Sequence, residues 1–294
     1  MYARRMLKWV IAGLSVPMCV LPAIAEQGSP TLSGTMLYSQ LTDGTWQIWQ
    51  LDLANRRAQQ VTSTPGDKRH AEFAPEGGVT YCTSNQACFQ SRLGDARNEL
   101  LLADLWPVRD MAWSRDGRQM AFSRFRTDLV DSSNLWLANA DGANRRMLTH
   151  AIGIQQHPAW SPDGTQLAYS GGHGPGTYEL YVVTADGART TQFTANHAED
   201  FFPAWSPDGK RLSWSSDVSG DYEMWIMNAD GSGVVQLTHA PGLDSNPAWS
   251  PDGAWLAFSS NRSGKLELWI MRPDGSDQQL LERMKAGACD PAWR

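Results

Sequence analysis

Residues 246–271 read NPAWSPDGAWLAFSSNRSGKLELWIM, and residues 202–227 read FPAWSPDGKRLSWSSDVSGDYEMWIM. The chain thus writes nearly the same text twice, 44 residues apart. Self-similarity at a period of about 20 to 50 residues marks a repeat architecture. Aligned on the tryptophan that follows alanine, the copies fall at Trp113, Trp160, Trp205, Trp249 and Trp293, spaced by 47, 45, 44 and 44 residues. A weaker copy, EFAPEGGVTYC, puts Phe73 at the tryptophan position 40 residues before Trp113.

Every copy has the same internal order. A short strand such as PAWS leads into a Pro-Asp-Gly or Arg-Asp-Gly turn, then into an apolar strand such as Leu167–Ser170 or Leu256–Ser259. A variable loop follows, then a third strand (NLWLA, ELYVV, EMWIM or ELWIM), then Asp-Gly, then a fourth strand ending in Leu-Thr or Phe-Thr. Proline presets φ at the first central turn position, aspartate tolerates the next, and glycine takes the positive φ that re-enters the strand. Asp-Gly between the third and fourth strands is a tight-hairpin signal. Four short strands per repeat, punctuated by turns, spell a propeller blade.

The two ends complete the count. The chain stops at DPAWR, a first strand with no blade after it, while Gly34 to Thr62 supplies second, third and fourth strands with no first strand before them. Together they make one shared blade. With the blades that begin near Phe73, Trp113, Trp160, Trp205 and Trp249 the total is six. The expected fold is all-β, a six-bladed propeller over residues 26–294 whose ring is closed by the C-terminal strand, which removes the exposed edges of an open array.

Residues 1–25 read differently. Arg4, Arg5 and Lys8 precede an apolar run that closes on Ala23-Ile24-Ala25, the layout of a secretory signal peptide. The run is shorter than the roughly 20 residues of a spanning helix and contains Pro17 and Pro22. Cys19 follows Met18 rather than the small residue that lipoprotein processing favours. Without this segment 22 basic residues face 31 acidic ones, a net charge of −9 that argues against nucleic acid and anionic membrane as partners. No membrane segment is expected after processing. Cys82 and Cys88 flank TSNQA and fit a bridge across a hairpin in an oxidising compartment, with Cys289 left over as a thiol that is either buried and inert or reactive.

The text PAWSPDG…LAFSS…G…ELWIM…DG…LT resembles the PD40, WD40-like repeat of the TolB propeller family, and the resemblance covers Thr35 to Arg294. It implies a periplasmic six-bladed propeller of the Tol–Pal envelope system that binds the lipoprotein Pal. Family members also carry an α/β domain ahead of the propeller and a segment that engages TolA. The stretch between Ala25 and Thr35 leaves no room for that domain. A propeller-only relative that uses the same surface for another envelope partner is the companion expectation.

Motifs for chemistry are sparse. SGGHGPG, residues 170–176, lacks Gly-Lys-Ser/Thr and precedes a strand, so it is a loop and not a phosphate cradle. His-Glu-x-x-His and Gly-x-Ser-x-Gly are absent. His150, His197 and His239 after fourth strands and His70 and His157 before first strands, with Asp110, Asp200, Asp244 and Asp290 in related slots, point to one face around the mouth of the central channel, where a His/Asp ring could hold a metal. They match no known ligand set and read as polar residues capping strand ends.

The two faces of the disc differ. One carries the near-identical turns. The other carries variable loops, where recognition usually lives. The candidate binding residues on that face are Arg124, Arg126, Asp128, His157, His173, Asp200, Phe201, Asp217, Asp221, Asp244, Asn246, Arg262 and Asp290. Phe201 and Phe202 supply an aromatic anchor, unless Phe202 packs between blades beside Pro203. The tryptophans recur at fixed phase and read as packing between blades. The expectation is a monomeric, non-catalytic protein-binding propeller without cofactor or metal. The alternative is a carbohydrate-active propeller, a glycan binder or metal-dependent polysaccharide lyase. Export is checked by intact mass, which should match a chain beginning at Glu26. A chain from Met1, or a lipid on Cys19, overturns that reading.

Overall fold

The computed structural model describes residues 32–92, 98–102, 105, 107–126, 132–174, 176–284 and 286–294. The signal-peptide expectation lies outside them. The described residues form short antiparallel sheets whose strands run in chain order from an innermost to an outermost position. Three such sheets are β4 (Lys68–Phe73) to β7 (Asn98–Leu101), β16 (Asp200–Trp205) to β19 (Val235–Gln236), and β20 (Asp244–Trp249) to β23 (Gln279–Leu280). An eight-stranded sheet holds β8 (Val108–Trp113) to β11 (Arg146–Met147) and β12 (Ile154–Trp160) to β15 (Thr190–Gln192), joined at one parallel pair, Ser133↔Ile154. In the remaining sheet β24 (Ala288–Trp293) pairs antiparallel with β1 (Thr35–Thr42), ahead of β2 (Thr45–Asp52) and β3 (Arg57–Gln60). The innermost strands touch in turn, β4 to β8, β8 to β12, β12 to β16, β16 to β20, β20 to β24, and β24 to β4. This is an all-β propeller. Among the described residues no helix is long and apolar enough to cross a membrane.

The second strands are apolar without alternation because both of their faces are covered. In β13 (Gln166–Gly172), Leu167 and Tyr169 pack on Ala112, Leu135 and Leu137 of the preceding strands. Ala168, pointing the other way, packs with Trp205, Leu212 and Trp214 of the following sheet. The first-strand tryptophans do join neighbours: Trp160 Nε1 donates to the Ala112 carbonyl at 3.3 Å, and Trp249 Nε1 to the Ala204 carbonyl at 3.1 Å.

The repeated polar letters have equally local reasons. In the Ser-Pro-Asp-Gly turns the serine hydroxyl donates to the aspartate, Ser161 to Asp163, Ser206 to Asp208 and Ser250 to Asp252, each at 2.6 Å. The glycine that follows has φ near +70° in every case, at Gly164, Gly209 and Gly253, where a Cβ is disfavoured. The threonine of Leu-Thr accepts a backbone N–H from the third strand: Leu135 on Thr149, Leu180 on Thr194, Met224 on Thr238, at 2.8–2.9 Å. It satisfies a buried donor where the short fourth strand has ended.

Cys82 and Cys88 sit directly opposite each other on β5 (Gly78–Thr83) and β6 (Cys88–Arg92), and their sulfurs are bonded. Cys289 is a buried free thiol. A bridge closing so short a loop removes little chain entropy. Replacing both cysteines by serine should therefore cost less than the typical figure of about 2–4 kcal/mol in urea unfolding. Thiol labelling of denatured, unreduced protein should find Cys289 and neither Cys82 nor Cys88; labelling of either refutes the bridge.

Candidate functional site

In each innermost strand the pairing slips at the same place. The slip falls between Arg69 and Glu72 in β4, Arg109 and Ala112 in β8, Gln156 and Ala159 in β12, Phe201 and Ala204 in β16, and Ser245 and Ala248 in β20. The β1–β24 pair slips opposite Asp290. The residue within the slip has positive φ throughout: His70 (+52°), Asp110 (+52°), His157 (+53°), Phe202 (+55°), Asn246 (+57°) and Asp290 (+54°). Such a conformation is uncommon without glycine, and Asn, Asp and His adopt it most readily. A bulge re-aims its side chain, and these six line a cavity of about 100 Å³ at one mouth of the channel. Pro158, Pro203, Pro247 and Pro291 follow four of them, so the slip strands no N–H there.

Each carboxylate in the ring is held by an arginine from its own or a neighbouring strand. Asp290 accepts from Arg69 Nε at 2.5 Å, Arg69 Nη2 at 3.3 Å and the Ser39 hydroxyl at 3.1 Å. Asp110 accepts from Arg109 Nε at 3.1 Å, while Arg109 Nη2 donates to Gln156 Oε1 at 3.1 Å. Burial alone raises a carboxyl pKa, but the Arg109 guanidinium and the two imidazoles outweigh it and bring Asp110 down to about 2. Asp290 is lowered further, by Arg69 and His70 against the same burial. His157 moves the other way: burial lowers it to about 3 despite the attraction of Asp110, so its ring is neutral.

Aromatic side chains bridge the ring. Phe202 lies 4.1 Å from the His157 ring and 5.7 Å from His70, centroid to centroid. Phe201 meets His157 edge-on at 5.6 Å and Tyr178 at 4.8 Å. The mouth is thus charge-balanced, aromatic and partly exposed. Its carboxylates are already engaged, and among the described residues no group of three or more His, Cys, Asp or Glu is placed to hold a metal.

The residues expected from sequence scatter around this ring. His157, Asn246 and Asp290 belong to it. So does Phe202, which faces the channel rather than packing between sheets. Asp200 and Asp244 do not share the slot of Asp110 and Asp290. They lie two residues earlier, at the starts of β16 and β20, where the register turns them inward. Asp200 is 0% exposed and accepts Trp214 Nε1 at 3.3 Å and Asn196 Nδ2 at 3.2 Å. Asp244 is 1% exposed and is ion-paired with Arg262, whose guanidinium also packs over Trp269. Asp200 and Asp244 are thus buried braces of the sheet ends, while Arg262, which holds Asp244, is half-buried. Arg124 stacks over Trp136 and donates to the Leu105 carbonyl at 3.1 Å. Asp217 is half-buried and caps Glu199 N at 2.7 Å. Arg126, His173 and Asp221 are exposed loop residues, and Asp128 lies outside the described residues. Sequence reading missed Arg69 and Arg109. Their signal was a basic residue immediately before a ring residue in Arg69-His70 and Arg109-Asp110.

The depressed imidazole makes a prediction. The folded protein holds His157 neutral down to about pH 3, whereas the unfolded chain protonates near its ordinary value of 6.5. The unfolded state binds more protons across that window, so stability rises with pH between them. Urea unfolding at pH 4 and at pH 6.5 should show the slope, and His157→Gln should flatten it. An unchanged slope in the variant would show that His157 is charged in the fold.

With the geometry in place, the relatives can be considered. A profile of the PD40 family, the TolB beta propeller domain, matches residues 95–234 and 200–293. The Tol-Pal system protein TolB of Alcanivorax borkumensis is 28% identical over 122 residues, which make up 40% of this chain and 26% of that protein. The match thus spans about a quarter of that relative's length. Among solved structures, TolB from Acinetobacter baumannii superposes with a TM-score of 0.76 at 19% identity, covering 90% of this chain and 67% of the other. An oligogalacturonate lyase in complex with manganese superposes at 0.62 with 17% identity, covering 86% and 74%. At such identities the structural likeness is one of fold. The profile match, which runs over more than half of the sequence, carries the assignment: the chain belongs to the PD40 family, the TolB beta propeller domain.

Proposed function

We propose that this chain is an exported six-bladed propeller, closed by β24 on β1, that binds a protein of the cell envelope and catalyses no reaction. The partner proposed is a Pal-like lipoprotein of a Tol–Pal type system, bound in the periplasm by a monomer. The observation that carries the reading is the mouth itself, where one re-aimed side chain from each innermost strand surrounds a row of aromatic rings. A partly exposed aromatic cluster on a rigid frame, ringed by loops, is suited to a protein anchor. Dividing the eight-stranded sheet at its single parallel pair supports the count of six blades. The basic start and Ala23-Ile24-Ala25 support export, and the relative of Alcanivorax borkumensis is itself named a Tol-Pal system protein.

A carbohydrate-active propeller is the competing reading. It has in its favour the fold shared with a manganese-bound lyase and two imidazoles 6.2 Å apart at the mouth. Against it stand the arginines that occupy both carboxylates of the ring. Elemental analysis of protein purified without added ions separates the two.

The binding reading is tested with two variants. One carries Asp163→Ala and Asp208→Ala in the repeated turns and should lose stability, by about 0.5 kcal/mol or more per lost hydrogen bond, while still capturing the partner. The other carries His173→Ala, Phe202→Ala and Asp221→Ala on the loop face and should fold normally but fail to capture it. Calorimetry and pull-down from envelope extract read both. Binding lost in the first and kept in the second would move recognition to the opposite face.

A further inference from the structure

The channel has a second mouth, at the end where the Pro-Asp-Gly turns lie. There the side chains of Phe73, Trp113, Trp160, Trp205, Trp249 and Trp293 surround a cavity of about 440 Å³. Most of its wall is dictated by the repeat; besides Phe73 in the tryptophan slot, three positions break the repeat with a charge. Glu72 stands where the other innermost strands have Ala112, Ala159, Ala204, Ala248 and Ala292. Arg115 stands where the turns have Pro162, Pro207 and Pro251, and Arg294 where Ser161, Ser206 and Ser250 follow their tryptophans. All three of these charged departures line this one cavity.

Neither turn geometry nor sheet packing calls for these charges. Arg115 reaches across the opening from its own turn to donate from Nη1 to the Pro207 carbonyl at 3.0 Å. The Arg294 guanidinium lies 4.5 Å from the centre of the Phe73 ring. Glu72 is half-buried at the neck that joins the two cavities. Burial pushes its carboxyl up to about 7. The charged and titratable groups that face the neck are His70, Asp110, His157 and Asp290 on one side and Arg115 and Arg294 on the other, while β16 and β20 contribute none.

A carboxyl in such a neck ionises fully when a cation meets it, and indole walls favour an organic ammonium ion. A lone cation, however, has to pass two guanidinium groups. A lone anion finds those groups but faces the carboxyl on the floor. We propose that the cavity binds a small zwitterion, with its ammonium group at Glu72, its anionic group at Arg115 and Arg294, and a short apolar body against the indoles.

The test uses the whole mature protein and three probes, 6-aminohexanoate, hexylamine and hexanoate, followed by indole fluorescence and calorimetry at pH 8. Expected is an affinity for 6-aminohexanoate about tenfold or more above either singly charged probe, the loss of one charge-assisted contact. Glu72→Ala and Arg115→Pro install residues that the other repeats already carry, and unchanged thermal unfolding verifies the fold. Glu72→Ala should abolish the preference over hexanoate, and Arg115→Pro should reduce the preference over hexylamine. At pH 7 binding should release protons from the wild type, because the ammonium group drives Glu72 to ionise, and should release none from Glu72→Gln. A zwitterion that binds no tighter than the singly charged probes, or equally well to Glu72→Ala, overturns the proposal, as does the absence of binding by all three probes.

Discussion

One backbone constraint organises this molecule: the positive φ at the middle of every innermost strand. Each such residue carries a conformational cost of about 1–3 kcal/mol, which the flanking pairing has to hold in place. In return, the slip frees one side chain per strand from the pleat and aims it at the axis. A regular strand cannot do this, since its residues alternate between the two neighbouring sheets. The channel lining, the pairing of Arg69 with Asp290 and of Arg109 with Asp110, and the aromatic row through Phe202 all follow from that one irregularity.

The regular part of the fold was legible because it depends on short-range chemistry. Ser-Pro-Asp-Gly announces its turn and Asp-Gly its hairpin through contacts two residues apart, and Leu-Thr the end of a sheet through a contact within its own blade. The slips were not legible. A bulge is a relation between two strands, and no letter of PAWS marks it. This is why Asp200 and Asp244 were grouped with Asp110 and Asp290 by chemical type and position near a strand start. Two residues of register separate the groups and decide between an internal brace and the channel rim. Phe202 and Asn246 occupy the rim slot, and nothing in their chemistry allies them with the acids.

Departures from the repeat proved as informative as the repeat. Where the repeat dictates alanine, proline or serine, the backbone and the adjoining sheet explain the choice. Where the chain writes Glu72, Arg115 or Arg294 instead, all three residues line the same cavity. A repeat architecture supplies its own internal comparison, because every unit reports what the scaffold alone requires.

The pairing of β24 with β1 bears on how the molecule is made. It joins residues some 250 positions apart, as the Ser39–Asp290 contact does. During synthesis β1 is among the first strands to emerge and the last to acquire its neighbour. Until β24 arrives, a row of backbone donors and acceptors stands open beside the buried residues Met36, Leu37 and Tyr38. The late step is a long-range one, slow by the entropy of bringing distant segments together. Until that pairing forms, the open edge of β1 is a template on which a second copy of the chain can pair.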